Sequence, residues 1–175
     1  MNISIRQAEA NDWPQIWQVL APVLRAGDTY SYAQDIAPEQ ARQVWLELPA
    51  ATFVAVKPDG EVVGTYYLKA NQPGQGSHVC NCGYVVSPAA RGRGVASALC
   101  RDSQERAIAL GFRSMQFNLV VSTNEAAVRL WQELGFAIVG TLPEAFNHPA
   151  HGYVDAFVMY KHLSPGARSA QTRAA

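Results

Sequence analysis

Apolar and polar residues alternate from Ile3 through Ile5 to Gln7, the period of a strand, and the spacing then turns helical through Trp13, Ile16, Trp17, Leu20, Val23 and Leu24. Asp12 stands where that helix needs a cap, and Gly27 where it stops. After a loop at Asp28-Thr29-Tyr30-Ser31-Tyr32, Pro38 opens a second helix with Ala41, Val44, Trp45 and Leu48 on one face, closed by Pro49. Two β-rich runs follow, Thr52 to Lys57 and Glu61 to Ala70, and Pro58-Asp59-Gly60 between them predicts a hairpin. The polar stretch Asn71 to Ser77 reads as a turn before a fourth strand, Val79 to Val86. Helical spacing resumes from Gly94 with Val95, Ala98, Leu99, Ala107 and Leu110, ending at Gly111. Ser114 to Val121 is a fifth strand. Asn124 opens a last helix through Ala127, Val128, Leu130, Trp131 and Leu134 to Gly135. Phe136 to Leu142 and Tyr153 to Lys161 complete the set of strands.

The order β-α-α-β-β-β-α-β-α-β-β predicts an α/β fold with a single mixed central sheet of about seven strands and helices on both faces. With 175 residues, 49% of them hydrophobic, the chain fills one core. The domain is expected over 1–163, and the small, polar stretch 164–175 as a flexible tail. Positive and negative side chains number 14 each, which removes any general electrostatic case for nucleic acid or an anionic membrane as partner. Only 16% of residues are charged, against roughly 25% in average domains, and this leaves room for a homodimer that covers apolar surface. The start MNISIRQAEAND has neither the basic segment nor the apolar run of a secretion signal, and no apolar stretch is long enough to cross a bilayer, so a cytoplasmic location is expected. Cys80, Cys82 and Cys100 read as buried thiols, and no metal is expected because no Cys or His pairs have zinc-site spacing.

The most informative segment runs from Val86 through Ser87-Pro88-Ala89-Ala90 to Arg91, Gly92, Arg93, Gly94, Val95 and Ala96, leaving a strand and entering a helix. A helix amino terminus exposes unpaired N–H groups and the positive end of a dipole, and small residues let a phosphate come close. Arg91 and Arg93 add charge suited to a pyrophosphate. No Gly-Lys-Ser/Thr follows, and the spacing is not that of a dinucleotide loop. Arg91-x-x-Gly94-x-Ala96 instead resembles the acetyl-CoA pyrophosphate loop of GNAT acetyltransferases. The Asn124 helix ending in Gly135-Phe136 is similar to that family's second CoA-contacting segment. The resemblance covers Ile3 to Leu163. It implies a sheet splayed between strands 4 and 5, acetyl-CoA as co-substrate, backbone contacts near Val86, amides from Arg91 to Ala96 on the pyrophosphate, and Asn124 on the same arm. The alternative for Asn124 is an ordinary helix cap without ligand contact.

Acetyl transfer needs a neutral amine, a donor for the developing oxyanion and a route for protons. The resemblance implies a backbone N–H of the fourth strand as the oxyanion donor. Many family members carry a Glu near Asn81 and a Tyr where this chain has Trp131, so no catalytic acid or base is assigned. Asn81, Asn118, Tyr153 and Tyr160 are the candidates. The amides Asn81 and Asn118 interrupt apolar runs, and they either satisfy strand backbone where the sheet opens or orient a polar substrate. The run Asn81 to Val86, the segment MQFNLVVSTNEAAVRLW and the ending GYVDAFVMYK resemble fungal acetyltransferases that act on L-azetidine-2-carboxylate and related proline analogues. Gly27-Asp28-Thr29-Tyr30 resembles, more loosely, phosphinothricin-type acetyltransferases. The closer resemblance implies a small-molecule amine acceptor, an amino or imino acid, held by Asn81, Asn118 and the backbone at Leu119. His148 and His151 lie before the last strand, either lining the acceptor entrance or solvated. Two alternatives stay open: acetylation of a protein or peptide amino terminus, and a non-catalytic acyl-CoA-binding module.

Overall fold

The computed structural model describes residues 1–163, and the tail expected from Ser164 lies outside the described residues. In chain order the elements are β1 (Ser4–Gln7), α1 (Trp13–Ala26), α2 (Pro38–Arg42), β2 (Ala51–Val56), β3 (Val62–Ala70), β4 (Val79–Val86), α3 (Val95–Ala109), β5 (Ser114–Val121), α4 (Glu125–Glu133), β6 (Ala137–His148) and β7 (Gly152–His162). The strands form one seven-stranded sheet in the order β1-β2-β3-β4-β5-β7-β6. Every neighbouring pair is antiparallel except β4 and β5, which α3 connects. A parallel pair needs such a crossover.

Two cores lie on the two faces. Ile16, Leu20 and Leu24 of α1 pack with Trp45 against Val54 and Tyr67 on one side. Val95, Leu99 and Cys100 of α3 pack against Tyr66, Leu68, Cys80 and Met115 on the other. Fully burying a side chain such as Leu99 contributes about 1.5–3 kcal/mol, so these contacts fix both helix layers to the sheet. All three cysteines are free and buried, in keeping with their reading as structural thiols.

Three local expectations are corrected. Asp12 makes no side-chain cap on α1. Its carboxylate instead takes both guanidinium nitrogens of Arg6 at 2.7 Å, and this charged hydrogen bond lowers its pKa below the usual carboxylate value. The second helix does not run on regularly to Pro49, because α2 passes into a π-helical turn over Gln43–Glu47 that points Trp45 Nε1 at Thr65 Oγ1, 3.2 Å away. Finally, β6 does not stop at Leu142. It is the edge strand, where proline is tolerated, and it passes Pro143 through a register shift between Leu142 and Phe146. His148 is therefore the last residue of a strand rather than part of a loop.

Candidate active site

The sheet opens between β4 and β5. Their pairing covers only Val79–Asn81 against Ser114–Gln116, although β4 continues to Val86 and β5 to Val121. The cause is one extra residue in β5. Between Phe117 and Val120 its register against β7 slips, so Asn118 and Leu119 form a bulge, which bends a strand away from its neighbour.

The opening leaves one edge of β4 bare. Asn71 N bonds Val79 O at 2.8 Å and Ser87 N bonds Val63 O at 2.9 Å, so by the two-residue period of an antiparallel ladder the odd-numbered residues of β4 bond toward β3. Cys82, Tyr84 and Val86 therefore turn their backbone groups toward the gap. The Tyr84 carbonyl accepts a hydrogen bond from the Tyr30 hydroxyl at 2.9 Å. At the closed end of the gap, Asn81 Nδ2 donates to the Gln116 carbonyl at 3.0 Å, and Asn81 Oδ1 accepts from the Tyr67 hydroxyl at 3.0 Å. The side chain of Asn81 thus supplies the last rung between the two strands.

Beyond Val86 the chain makes a short 3-10 turn at Pro88–Ala90 and enters α3 through Gly92 and Gly94, at φ +70° and +80°. A left-handed backbone at both places is natural for glycine and strained for other residues. A Cβ built on either would meet nothing within 4 Å, so the loop faces open space. No side chain caps the first turn of α3. Its amino-terminal N–H groups are available to an anion beside Arg91 and Arg93.

Two joined clefts connect these features. One, of about 480 Å³, runs from Val86, Arg91 and Ala96 across to Thr123, Asn124 and Trp131. Asn124 caps α4 through Oδ1 to Ala127 N at 3.2 Å and borders both clefts. The other cleft, about 350 Å³, lies between the splayed strands and is lined by Tyr30, Tyr32, Asn81, Asn118, Leu119 and Trp131, with no acidic or basic side chain among its described lining residues. Both share Tyr84, Asn124, Ala127 and Trp131. A third cleft of about 660 Å³ adjoins the second through Tyr30, Ser31 and Tyr32 and extends to Phe146 and His148.

The cleft between the strands is rich in protonated donors. Burial is the main cause that holds the hydroxyls of Tyr30, Tyr67 and Tyr84 well above the ordinary phenol value. Burial also raises the Cys82 thiol, and pushes Cys80 up to about 12, so neither offers a thiolate nucleophile near neutral pH. Trp131 lies with its ring centroid 5.0 Å from that of Tyr84, where its indole is a donor only.

The remaining candidates divide. Asn118 accepts from Gln116 Nε2 at 2.9 Å and donates to Asn71 Oδ1 at 2.7 Å. Tyr153, 70% exposed, and Tyr160 both lie on β7 and line none of the three clefts. The ring of His148 lies 4.6 Å from that of His151, and its Nδ1 accepts from Ala150 N at 3.1 Å. His148 borders the first and third clefts, while His151 borders none. Sequence reasoning missed the roles of Tyr67 and Tyr84 and the inward turn of Tyr30. The available signal was Gly83, a lone glycine inside a strand, since its Cβ would fall 2.7 Å from the Tyr67 ring and 3.1 Å from the Tyr30 hydroxyl.

A model described as the acetyltransferase (GNAT) family matches residues 11–136. The chain is 40% identical over 103 residues to the N-acetyltransferase aca1 of Schizosaccharomyces pombe, a match covering 58% of this chain and 49% of that protein. It thus spans about half the length of this relative. Over 162 residues it is 30% identical to the L-amino acid N-acetyltransferase AaaT of Escherichia coli, covering 90% of this chain and 96% of the other. Among solved structures, a GCN5-related N-acetyltransferase from Kribbella flavida is similar with a TM-score of 0.87 and 47% identity, across 92% of this chain and 98% of that one.

Proposed function

This chain belongs to the acetyltransferase (GNAT) family, and from that premise we propose that it transfers the acetyl group of acetyl-CoA to the amine of a small amino or imino acid, a proline analogue such as azetidine-2-carboxylate or hydroxyproline. One observation carries the reading: an uncharged cleft lined by the amides of Asn81, Asn118 and Asn124 opens directly onto the bare edge of β4 and the uncapped, glycine-led start of α3. The open space at Gly92 and Gly94 fits a pyrophosphate. Arg91, Gly92, Arg93, Gly94, Val95 and Ala96 hold it, while the backbone near Val86 and Asn124 take the arm that leads to the sulfur.

Acetyl-CoA supplies an activated acyl carbon. The protein aligns the amine with it. Asn81, Asn118 and the backbone at Leu119 hold the acid, and the N–H groups along the bare edge of β4 face the acyl oxygen where charge develops. Among the described residues no carboxylate or imidazole lines the cleft between the strands, so the amine loses its proton to water. The third cleft gives a second reading some support, because it would extend the site for a peptide amino terminus.

The same reading places the chain in the cytoplasm, where three unpaired thiols stay reduced, and pairs it as a homodimer. Ile138, Val139 and Leu142 are exposed on the edge strand β6, and this apolar edge suits a second copy. Molecular mass in solution tests the pairing. Thiol release from acetyl-CoA on a panel of proline analogues, primary amino acids, polyamines and short peptides tests the activity. Turnover on imino or amino acids supports the reading, preference for peptides supports the second one, and no turnover on any acceptor leaves a binding module.

A further inference from the structure

We infer that Tyr67 is a positioning residue of the acceptor site, anchoring the Oδ1 end of the Asn81 amide that the Gln116 carbonyl orients, and thereby setting the preference for acceptors that carry a carboxylate. The inference rests on the proposed acetylation of amino or imino acids only for its second half.

A backbone carbonyl can only accept. The 3.0 Å contact from Asn81 to Gln116 O therefore identifies the donating end of the amide as Nδ2, and leaves Oδ1 toward Tyr67. The Tyr67 hydroxyl must then donate, and its burial keeps it protonated to do so. Without that hydroxyl, the buried Oδ1 would lose its partner. With it, each end of the amide is committed once and retains one further bonding position, an N–H and a lone pair, where Asn81 borders the cleft. Such a pair matches an amino or imino acid, whose carboxylate accepts and whose amine donates. An amide anchored at the Gln116 carbonyl alone would be free to tilt its second N–H away from the carboxylate.

Tyr67 itself is held independently of this bond. Its ring meets Trp45 edge-on with centroids 4.9 Å apart, and it lies over Gly83, which leaves no room for a Cβ. Two variants therefore perturb the hydroxyl by different routes. Tyr67→Phe deletes it, and Gly83→Ala displaces the ring while keeping it.

The test compares acceptors and also reads the amide directly. For each protein, kcat/KM is measured on an imino acid and on the matching carboxamide, with acetyl-CoA affinity as control. Both variants are expected to lower the acid-to-carboxamide preference about 10-fold, chiefly through acceptor KM, with cofactor affinity unchanged. In nitrogen-resolved NMR of the labelled protein, the Asn81 side-chain amide protons are expected to shift and to exchange faster in Tyr67→Phe. Unchanged preference in an active Tyr67→Phe protein overturns the specificity role while the acetylation reading stands. Unchanged Asn81 amide signals overturn the positioning role whether or not any acceptor is turned over.

Discussion

The hydroxyl of Tyr30 donates to the backbone carbonyl of Tyr84, 2.9 Å away and 54 positions later in the chain. That carbonyl lies on the edge of β4 that β5 has left, so a loop side chain does the work of the absent strand. Tyr30→Phe removes the donor and leaves a part-buried carbonyl unmet, which costs up to about 1–3 kcal/mol. For a protein of this size the melting temperature is expected to fall by roughly 2–4 °C for each kcal/mol. Acceptor turnover is expected to fall further than acetyl-CoA affinity, because Tyr30 borders the cleft between the strands and not the phosphate loop. Thermal unfolding and a cofactor titration on the same variant check both.

The pH dependence of turnover follows from the titrating groups around the same cleft. Tyr30, Tyr67 and Tyr84 are all raised, so they stay protonated through neutral pH and none serves as a base. The reactive fraction is then that of the acceptor's own neutral amine. With acetyl-CoA saturating, kcat/KM for the acceptor is expected to climb about tenfold per pH unit between about pH 6 and 9, without a bell shape. A plateau beginning near neutral pH would reveal a base on the protein.

Gly94 tests the phosphate site. In Gly94→Val a β-branched side chain must adopt φ +80°, at a cost of about 1–2 kcal/mol, and it projects into the open space where the anion approaches. The wild-type protein at a hundredfold excess of acetyl-CoA over its Kd gains about 2.7 kcal/mol, a rise of roughly 5–10 °C in melting temperature. Gly94→Val is expected to fold and to lose that rise. Arg91→Ala keeps the backbone cradle and is expected to retain most of it. NAD and ATP should shift the wild type much less.

The parts of this site differ in how far local residue order carries them. The glycine-led turn into α3 was readable because glycines, arginines and a strand-to-helix change fall within a dozen neighbouring positions. The splay was expected only through family resemblance. Its cause, the extra residue at Asn118–Leu119, lies in a run where Phe117, Leu119, Val120 and Val121 are all apolar, so no break in alternation marks the bulge. Tyr30 and Tyr67 reach the site from distant elements, and periodicity places Tyr67 on a strand without saying that its hydroxyl meets Asn81. Asp12 looked like a cap because its type and position suit one, but Arg6 on β1 offers its carboxylate a bidentate charged partner.

Asn81 and Asn118 separate substrate binding from structure, because their surroundings differ. Asn81 is 7% exposed and closes the ladder to Gln116, so Asn81→Ala strands the part-buried Gln116 carbonyl and the buried Tyr67 hydroxyl and is expected to lower stability by about 1–3 kcal/mol. Asn118 is exposed and, among the described residues, its side chain bonds those of Gln116 and Asn71, so Asn118→Ala should stay within about 0.5 kcal/mol of the wild type. If both amides hold the acid, each variant nevertheless loses a hydrogen bond to a charged group, and kcat/KM for azetidine-2-carboxylate or hydroxyproline falls about 10- to 100-fold. Acetyl-CoA should bind both variants normally, since the loop at Gly92 and Gly94 is untouched. A rigid ring amine gains most from such fixed neutral partners, so the loss should be larger for ring acids than for primary-amine amino acids. Full activity in Asn118→Ala together with a loss in Asn81→Ala that only tracks its melting temperature would make both amides structural, and would remove the acceptor assignment while leaving the phosphate site intact.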